Sequence, residues 1–311
     1  VRRVGKARIL IIDEVSMLSS RTLSMVDVIC REISRNQEPF GGLQVILVGD
    51  FFQLPPVDRY ASEQFAFFSR AWTTLNPIVG YLSEQHRQED AVFLEFLSAV
   101  RHNAVSDSHR QLLRTRYSPK PKDGITQLYS HNVDVDQINN AKLQKLAGAT
   151  RTFEMTSHGA EKLILALKHG CLSPEILALK VGARAMFTKN DVTGHQYTNG
   201  TLGIVVGFAK ENGDPIIKTN SGKTIFAEPD DWQVEDRGRV LEQISQVHLR
   251  LAWAMTVHKS QGSEFERVLL ILPDRDVPLL TRELVYTGLT RAKNSVELWC
   301  PEEILRVALS R

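Results

Sequence analysis

Residues 8–14 read RILIIDE, a short apolar run rich in β-branched side chains that ends abruptly in Asp13 and Glu14. Such a run predicts a strand that is buried on both faces of a parallel sheet. From Ser20 onward apolar side chains recur at helical spacing, and after a Pro/Gly break a second apolar run follows at residues 45–48. The stretch therefore predicts a strand–helix–strand unit, in which the polar residues that follow the strands collect at one edge of the sheet.

Length, composition and charge limit the class of protein. A chain of 311 residues is long enough for two or three domains of ordinary size. Its 42% hydrophobic and 24% charged residues are typical of a globular protein. No apolar run approaches the roughly 18–20 residues that cross a bilayer, so we expect no membrane span. Because the net charge is only +2, nucleic acid would have to bind in a local groove.

The rest of the chain predicts a second α/β sheet with an insertion. We predict a third strand at residues 78–82 and a helix capped by Asp90. Further strands are predicted at residues 125–129, 251–257, 268–272 and 296–299. Short strands and Asn-Gly or Ser-Gly turns between residues 201 and 228 indicate antiparallel hairpins. The predicted domains are residues 1–82, 83–186, 187–247 and 248–311, the third of them a small inserted barrel.

Two groups of residues at predicted strand ends fit the chemistry of nucleotide hydrolysis. A strand-end aspartate such as Asp13 can help to hold Mg²⁺, while a neighbouring acid such as Glu14 orients or deprotonates the attacking water. In residues 48–56, VGDFFQLPP, Gly49 allows close approach of the backbone to a ligand, and the amide of Gln53 could sense a terminal phosphate. Taken alone, the acid pair could equally well cap a helix; the order of the two motifs favours the hydrolytic interpretation.

Two arginines and one polar loop extend this pattern. Arg87 lies in the string EQHRQ, and Arg291 lies in YTGLTRAK. A guanidinium that neutralises charge on a transferring phosphoryl group is worth on the order of 10³–10⁵ in rate, although a single arginine is more often a solvated surface residue. Residues 255–264, MTVHKSQGSE, run from an apolar strand into small and polar residues. Backbone amides and hydroxyls in such a loop suit the phosphates of a nucleotide or of a DNA strand.

Five strings, ILIIDEVSML, VGDFFQLPP, EQHRQ, TVHKSQGSEFE and YTGLTRAK, occur in this order between residues 8 and 293. They resemble motifs II to VI of the Pif/RecD type of superfamily one, subfamily B helicases. The resemblance implies an α/β fold of two RecA-like parallel-sheet domains, the first incomplete, with a small Src-homology-three-like β-barrel inserted in the second. It also implies a monomeric DNA helicase that uses ATP and Mg²⁺, binds ATP between its domains, and moves 5′ to 3′ on single-stranded DNA in replication, recombination or repair. Such a protein would act in the cytoplasm at the nucleoid, or in the nucleus.

The resemblance also assigns roles to individual positions. Asp13 would hold Mg²⁺ through its water shell, Glu14 would activate the water and Gln53 would sense the γ-phosphate. Arg87 and Arg291 would act on the same phosphate from the second domain. Nucleotide binding would further involve Gln261, Gly262 and Glu264, and the candidates for contacts with the DNA backbone are Ser130, Asn132, Asn199, Thr256, His258 and Lys259.

One expected motif is absent from residues 1–311. A P-loop motor needs a G-x-x-x-x-G-K-[ST] loop, whose amides, lysine and hydroxyl hold the phosphates and Mg²⁺. Residues 5–7, GKA, contain the Gly-Lys pair without the preceding glycine or the following hydroxyl. We therefore expect a truncated first domain and negligible ATP hydrolysis by this chain alone. It could be a fragment of a longer protein, which we favour, a split motor completed by a partner chain, a nucleic-acid-binding relative without enzymatic activity, or a P-loop ATPase that remodels other complexes.

Overall fold

The computed structural model describes residues 4–56, 65–82, 84, 90–118, 125–130, 132–236, 239–273 and 280–310. The chain divides into two compact units. The first unit consists of residues 1–111, 280–287 and 306–311, and the second of residues 112–279 and 288–305. The division at residue 111 lies beyond the boundary predicted near residue 83, and the finer predicted boundaries stay a prediction.

The described residues contain eight α-helices and sixteen strands. None of these helices is long and apolar enough to cross a bilayer. The helices are α1 (Ser20–Ser34), α2 (Arg70–Leu75), α3 (Ala91–Arg101), α4 (Asp107–Thr115), α5 (Asn132–Lys145), α6 (Glu161–Gly170), α7 (Arg282–Leu289) and α8 (Glu302–Ser310). The strands are β1 (Ile9–Ile12), β2 (Gln44–Leu47), β3 (Thr126–Tyr129), β4 (Arg151–Glu154), β5 (Thr156–His158), β6 (Ile176–Leu179), β7 (Arg184–Phe187), β8 (Leu202–Phe208), β9 (Pro215–Thr219), β10 (Thr224–Phe226), β11 (Pro229–Asp236), β12 (Arg239–Val247), β13 (Leu249–Leu251), β14 (Ala254–Thr256), β15 (Phe265–Ile271) and β16 (Ala292–Trp299).

The predicted strand–helix–strand unit forms in the first unit of the chain. Strands β1 and β2 pair in parallel, and α1 lies between them in sequence. Ser19 caps α1, because its hydroxyl accepts a hydrogen bond from the backbone N–H of Thr22. Leu23 of α1 and Phe40, which precedes β2, are both 0% exposed and form the centre of this core.

Two strand predictions in the first unit are wrong. The prediction that β1 is buried on both faces fails, because Ile9 is 49% exposed, Ile11 65% and Ile46 of β2 39%. These three side chains share the face of the sheet that no described element covers, and the opposite face packs on α1. Residues 78–82 do not form a strand, since Ile78 is 101% exposed and no described strand pairs with this segment.

The second unit contains the predicted second parallel sheet. Its strand order is β14-β3-β15-β16, and all three pairings are parallel. The apolar side chains of β15 are buried on both faces, as is typical of a central parallel strand: Val268, Leu269 and Leu270 are each 0% exposed. Helix α5 packs on β14 and β3.

An antiparallel region also belongs to the second unit. Five strands pair in the order β10-β9-β8-β7-β13, and a separate sheet has the order β11-β12-β5. The predicted hairpins at residues 201–228 therefore form, although the five-stranded sheet extends beyond the predicted insertion at residues 187–247, from Arg184 to Leu251. The described hydrogen bonds leave β10 and β13 as edge strands, so closure into a barrel stays a prediction.

The single strand predicted at residues 251–257 is wrong in an informative way. The chain forms β13 in the antiparallel sheet and then β14 in the parallel sheet, with Ala252 and Trp253 between them. Asn139 of α5 stabilises this change of sheet. Its Oδ1 accepts hydrogen bonds from the N–H groups of Trp253 at 3.1 Å and Ala254 at 3.0 Å, and its Nδ2 donates to the carbonyl of Ala254 at 2.9 Å.

Candidate nucleotide and nucleic-acid sites

The ends of β1 and β2 meet at the predicted hydrolytic residues of the first unit. The backbone N–H of Val15 donates to the carbonyl of Val48 at 2.9 Å. A β-carbon at Gly49 would lie 2.9 Å from the same backbone nitrogen, so only glycine fits this crossing. The structure therefore brings Asp13 and Glu14 next to the turn that begins at Gly49.

The backbone at Glu14 adopts an unusual conformation. Its φ of 50° and ψ of 44° lie in the left-handed region, which costs free energy for a side chain other than glycine. The Glu14 N–H donates to Oδ1 of Asp13 at 2.8 Å. Asp13 is exposed and Glu14 is half-buried, so both carboxylates can reach solvent or a ligand. Strained backbone of this kind is often found at functional sites.

The turn that follows β2 places the predicted phosphate sensor. Asp50 organises it, because its Oδ1 accepts from the N–H of Phe52 at 3.0 Å and its carbonyl accepts from the N–H of Gln53 at 3.0 Å. The side-chain Oε1 of Gln53 is buried and has no hydrogen-bond partner among the described residues. Buried polar atoms are normally paired, so this amide fits a role in which water or a ligand completes its hydrogen bonds.

Sequence reasoning missed Arg101, the last residue of α3. Its Nη1 donates to Oδ2 of Asp50 at 2.5 Å and to the hydroxyl of Tyr286 at 3.2 Å. Its guanidinium also lies 5.3 Å from the ring centroid of Phe52 and 5.3 Å from that of Tyr286. Arg101 thus holds the carboxylate that organises the phosphate-sensing turn.

We predict that Arg101→Ala lowers the free energy of unfolding of the first unit by about 1–2 kcal/mol, since the lost hydrogen bonds are charge-assisted but partly screened by solvent. Urea denaturation measures this change. Arg110→Ala is the matched control, because Arg110 pairs with Asp107 in a largely exposed ion pair. We expect its effect to stay below about 0.5 kcal/mol. Equal effects of both substitutions would contradict the role of Arg101.

The predicted polar loop of the second unit follows β14 and begins with a tight turn. The hydroxyl of Thr256 accepts from the N–H of Lys259 at 3.2 Å, and Thr256 is only 3% exposed. Its side chain therefore orients the loop rather than facing solvent. Burial lowers the pKa of His258, which keeps its imidazole neutral at pH 7. Burial, and then the nearby charge of Arg250, lower the pKa of Lys259.

The residues predicted to bind a nucleotide continue this loop. The side-chain Nε2 of Gln261 is buried without a partner among the described residues. Gly262 has a φ of 72° and open space beside its α-carbon. Glu264 is exposed, and its carboxylate forms an ion pair with Nζ of Lys293 at 3.0 Å. The amide of Gln261 and the open position at Gly262 leave room for a ligand at this turn.

Arg291 lies against the same loop. It is 1% exposed, and its guanidinium donates to the Thr290 hydroxyl at 3.1 Å and to the carbonyl of Ser263 at 3.5 Å. Gly200 approaches from the antiparallel sheet, where a β-carbon would lie 3.1 Å from Cβ of Ser263. The structure therefore collects Gly200, Ser263 and Arg291, which are far apart in sequence, at one place in the second unit.

The structure also places three of the four remaining predicted site residues. Ser130 follows β3 and is 8% exposed, and Asn132 is the first residue of α5. Asn199 is exposed, and its N–H donates to Oδ1 of Asn190 at 2.7 Å. Arg87 lies outside the described residues.

A protein cage for a metal ion does not occur in the part of the chain that the structure describes. These residues contain no group of three or more His, Cys, Asp or Glu side chains suited to holding an ion. The exposed carboxylate of Asp13 fits a different arrangement, in which Mg²⁺ keeps most of its water and is held mainly by substrate phosphates.

Comparison with known proteins places this geometry in a family. The family model described as PIF1-like helicase matches residues 1–110, and the model described as UvrD-like helicase C-terminal domain matches residues 251–298. The crystal structure of Pif1 helicase from Candida albicans is similar over 97% of this chain and 75% of that chain, with 31% sequence identity and a TM-score of 0.80. The chain belongs to the PIF1-like helicase family.

Other PIF1-like helicases are similar to it. ATP-dependent DNA helicase Pif1 of Psychrobacter sp. is 35% identical over 84% of this chain and 49% of that relative. The human ATP-dependent DNA helicase PIF1 is 36% identical over 92% of this chain and 44% of that relative. The chain thus spans about half the length of these curated relatives.

A solved structure extends the likeness to a liganded relative. Pif1 helicase from Bacteroides in complex with ADP-AlF3 and ssDNA has a TM-score of 0.71, with 27% identity over 97% of this chain and 73% of that chain. The predicted family and the predicted α/β fold class with RecA-like domains are confirmed, while the barrel form of the insertion stays a prediction.

Proposed function

We propose that this PIF1-like chain is the greater part of the motor of an ATP-dependent DNA helicase that moves 5′ to 3′ on single-stranded DNA. The observation that carries the proposal is the junction of β1 and β2, where Asp13 and Glu14 lie next to the turn that holds Gln53. Its relatives from Psychrobacter sp. and human are named ATP-dependent DNA helicases, which supports the same activity. Such a protein would work in replication, recombination or repair, at the nucleoid or in the nucleus, as a monomer.

The proposed roles in ATP hydrolysis divide between the two units. Asp13 would hold Mg²⁺ through water, and Glu14 would take a proton from the attacking water while its neighbour keeps the ion in place. Nε2 of Gln53 would donate a hydrogen bond to an oxygen of the terminal phosphate, and its unpaired Oε1 would accept one from the attacking water. Arg87 and Arg291 would neutralise negative charge on the transferring phosphoryl group of the same nucleotide.

Three further residues would bind the nucleotide. Gln261, with its buried unpaired Nε2, and the open position at Gly262 would contact the phosphate or sugar. The exposed carboxylate of Glu264 would accept from the sugar hydroxyls. A P-loop segment, either elsewhere in a longer polypeptide or in a partner chain, would supply the lysine and the amides that residues 1–311 lack.

Single-stranded DNA would contact the second unit through backbone amides and polar side chains. His258, Lys259 and Asn199 have side chains that reach solvent, so we assign them direct phosphate contacts. The buried hydroxyl of Thr256 would act by orienting Lys259. Ser130 and the start of α5 at Asn132 complete the proposed path. Contacts of this kind are made to the backbone phosphates and do not depend on the base sequence.

The test of the proposal is DNA-stimulated ATP hydrolysis. The 311-residue chain alone is expected to hydrolyse ATP negligibly, and stimulation by single-stranded DNA is expected once a P-loop segment is present. In that protein, Glu14→Gln should lower the turnover rate by roughly 100-fold or more, because general-base catalysis is worth about that much. The matched control is Glu32→Gln, which changes an exposed acid on α1 and should leave turnover unchanged.

Three results would count against the proposal. Turnover that survives Glu14→Gln would remove this acid from the reaction. Hydrolysis by the 311-residue chain alone that Glu14→Gln abolishes would show that no separate P-loop is required. If the affinity for an oligo-dT strand did not fall steeply with salt concentration, single-stranded DNA would not be the molecule along which the motor moves.

A further inference from the structure

A cavity in the second unit is lined by residues of both its antiparallel and its parallel sheet. It has a volume of about 680 Å³ and lies between residues 195–202 of the antiparallel region and the first residues of β3, β15 and β16. This volume falls within the roughly 300–1,000 Å³ typical of small-molecule sites. The cavity is lined largely by hydroxyl, amide and charged groups, among them Thr126, Thr198 and Thr201.

Two cations in the wall form ion pairs, and the carboxylate of Glu266 accepts a hydrogen bond from Nδ2 of Asn294 at 2.5 Å. Lys293 pairs with Glu264 at 3.0 Å, and Arg267 pairs with Glu297 at 3.1 Å. The remaining cation in the wall is Arg184, whose Nη1 is buried and has no hydrogen-bond partner among the described residues. Arg184 therefore lines the cavity, and its guanidinium has at least one donor without a partner among the described residues.

The fold explains why Arg184 faces this cavity. Arg184 is the first residue of β7, and its neighbour Ala185 is 0% exposed in the core of the antiparallel sheet. Because side chains alternate along a strand, Arg184 points to the opposite face. Burial lowers the pKa of Arg184, yet an arginine keeps its proton in proteins. A retained and partly desolvated charge is costly unless an anion approaches it.

We propose that this cavity binds the phosphate group of a nucleotide, with Arg184 as its main anionic contact. A guanidinium presents two parallel donors that match phosphate oxygens, and the threonine hydroxyls of the wall suit a sugar or phosphate. The identity of the ligand as a nucleotide rests on the proposed function. The phosphate can come from a free nucleotide, because Glu264 lines the cavity, or from a DNA strand, because Gly200, the neighbour of the DNA candidate Asn199, lines it as well.

The experiment compares calorimetric binding of inorganic phosphate, ADP and a twelve-residue oligo-dT to the 311-residue chain and its variants. Arg184→Met removes the charge and keeps the length of the side chain. It should weaken at least one probe about tenfold or more, as expected for a lost charge-assisted hydrogen bond. Arg267→Met is the matched control, an arginine of the same wall that is half-exposed and already paired, and it should change affinity less than about threefold.

The outcomes identify the source of the phosphate. Weaker binding of ADP and inorganic phosphate assigns the cavity to a free nucleotide, whereas weaker binding of the oligo-dT alone assigns it to a strand. Arg184→Met that binds all three probes as the unmodified chain does would overturn the proposal.

A thermal melt separates loss of binding from loss of folding. Without ligand, Arg184→Met should melt at the same or a higher temperature, because an unpaired buried charge is removed. If that variant fails to fold, Arg184→Lys keeps the charge without the planar fork and should still bind more weakly than the unmodified chain. A failure of the hydrolytic proposal appears as turnover that survives Glu14→Gln, and a failure of this proposal appears as unchanged binding of all three probes by Arg184→Met, so the two failures are distinguishable.

Discussion

Replacing Asn139 by leucine will destabilise the second unit by roughly 3–5 kcal/mol, because three backbone groups lose their hydrogen bonds at once and each buried unsatisfied group costs about 1–3 kcal/mol. Asn139 is 4% exposed, and its amide pairs with the N–H of Trp253 and with both the N–H and the carbonyl of Ala254. Leucine has a similar volume but can neither donate nor accept. The loss is measured as the free energy of unfolding in urea.

The neighbouring Asn140 provides the control. It lies on the same helix and is exposed, so Asn140→Leu changes the same chemistry without breaking a buried contact. We expect that substitution to change stability by less than about 0.5 kcal/mol. Indistinguishable urea midpoints for the two variants would show that Asn139 does not hold the crossing between the sheets. A drop in oligo-dT affinity with Asn139→Leu alone is also expected, since β14 leads directly to Lys259.

Gly41→Ala is expected to destabilise the first unit by about 3 kcal/mol, the sum of a left-handed backbone penalty and a steric clash. Gly41 has a φ of 67°, and an added β-carbon would lie 2.6 Å from the carbonyl oxygen of Cys30 and 2.8 Å from Oγ of Ser34. Both atoms belong to α1, so relief of the clash must move this helix away from the turn before β2. Urea denaturation again gives the magnitude.

Gly170→Ala serves as the reference for this substitution. Gly170 ends α6, has no neighbouring atom within 4 Å of an added β-carbon, and does not have a positive φ. Alanine should therefore stabilise the chain slightly, by about 0.4–1 kcal/mol. If Gly41→Ala were as harmless as Gly170→Ala, the close contact between α1 and the turn at Gly41 would not be a constraint on the fold.

Much of the architecture could be predicted from the sequence, because its signals are local. The apolar run before Asp13, the helical spacing that begins at Ser20 and the turn residues of the hairpins each act over a few positions, and the corresponding elements form as predicted. The family could be predicted for a similar reason, since its motifs are contiguous strings. Burial was harder to predict, because it depends on what covers a face. Ile11 looks like a core residue in sequence and is 65% exposed in the structure.

The residues that sequence reasoning missed act through contacts between distant positions. Arg101 meets Asp50 across 51 positions, and Asn139 meets Ala254 across 115. Neither residue belongs to a recognisable string, and a polar residue on a helix is ordinarily interpreted as exposed. For Arg184 the only sequence signal is a charge in an otherwise apolar strand, which does not indicate the face it occupies until the register of β7 is known.

The two-residue passage from β13 to β14 limits how the second unit can move. Only Ala252 and Trp253 separate a strand of the antiparallel sheet from a strand of the parallel sheet, and the backbone there is tied to α5. A connection of two residues provides no flexible segment between the strands, so the two sheets cannot rotate independently of each other. A ligand that tilts the antiparallel sheet would therefore displace Thr256, and with it the loop bearing Lys259, without any intervening hinge.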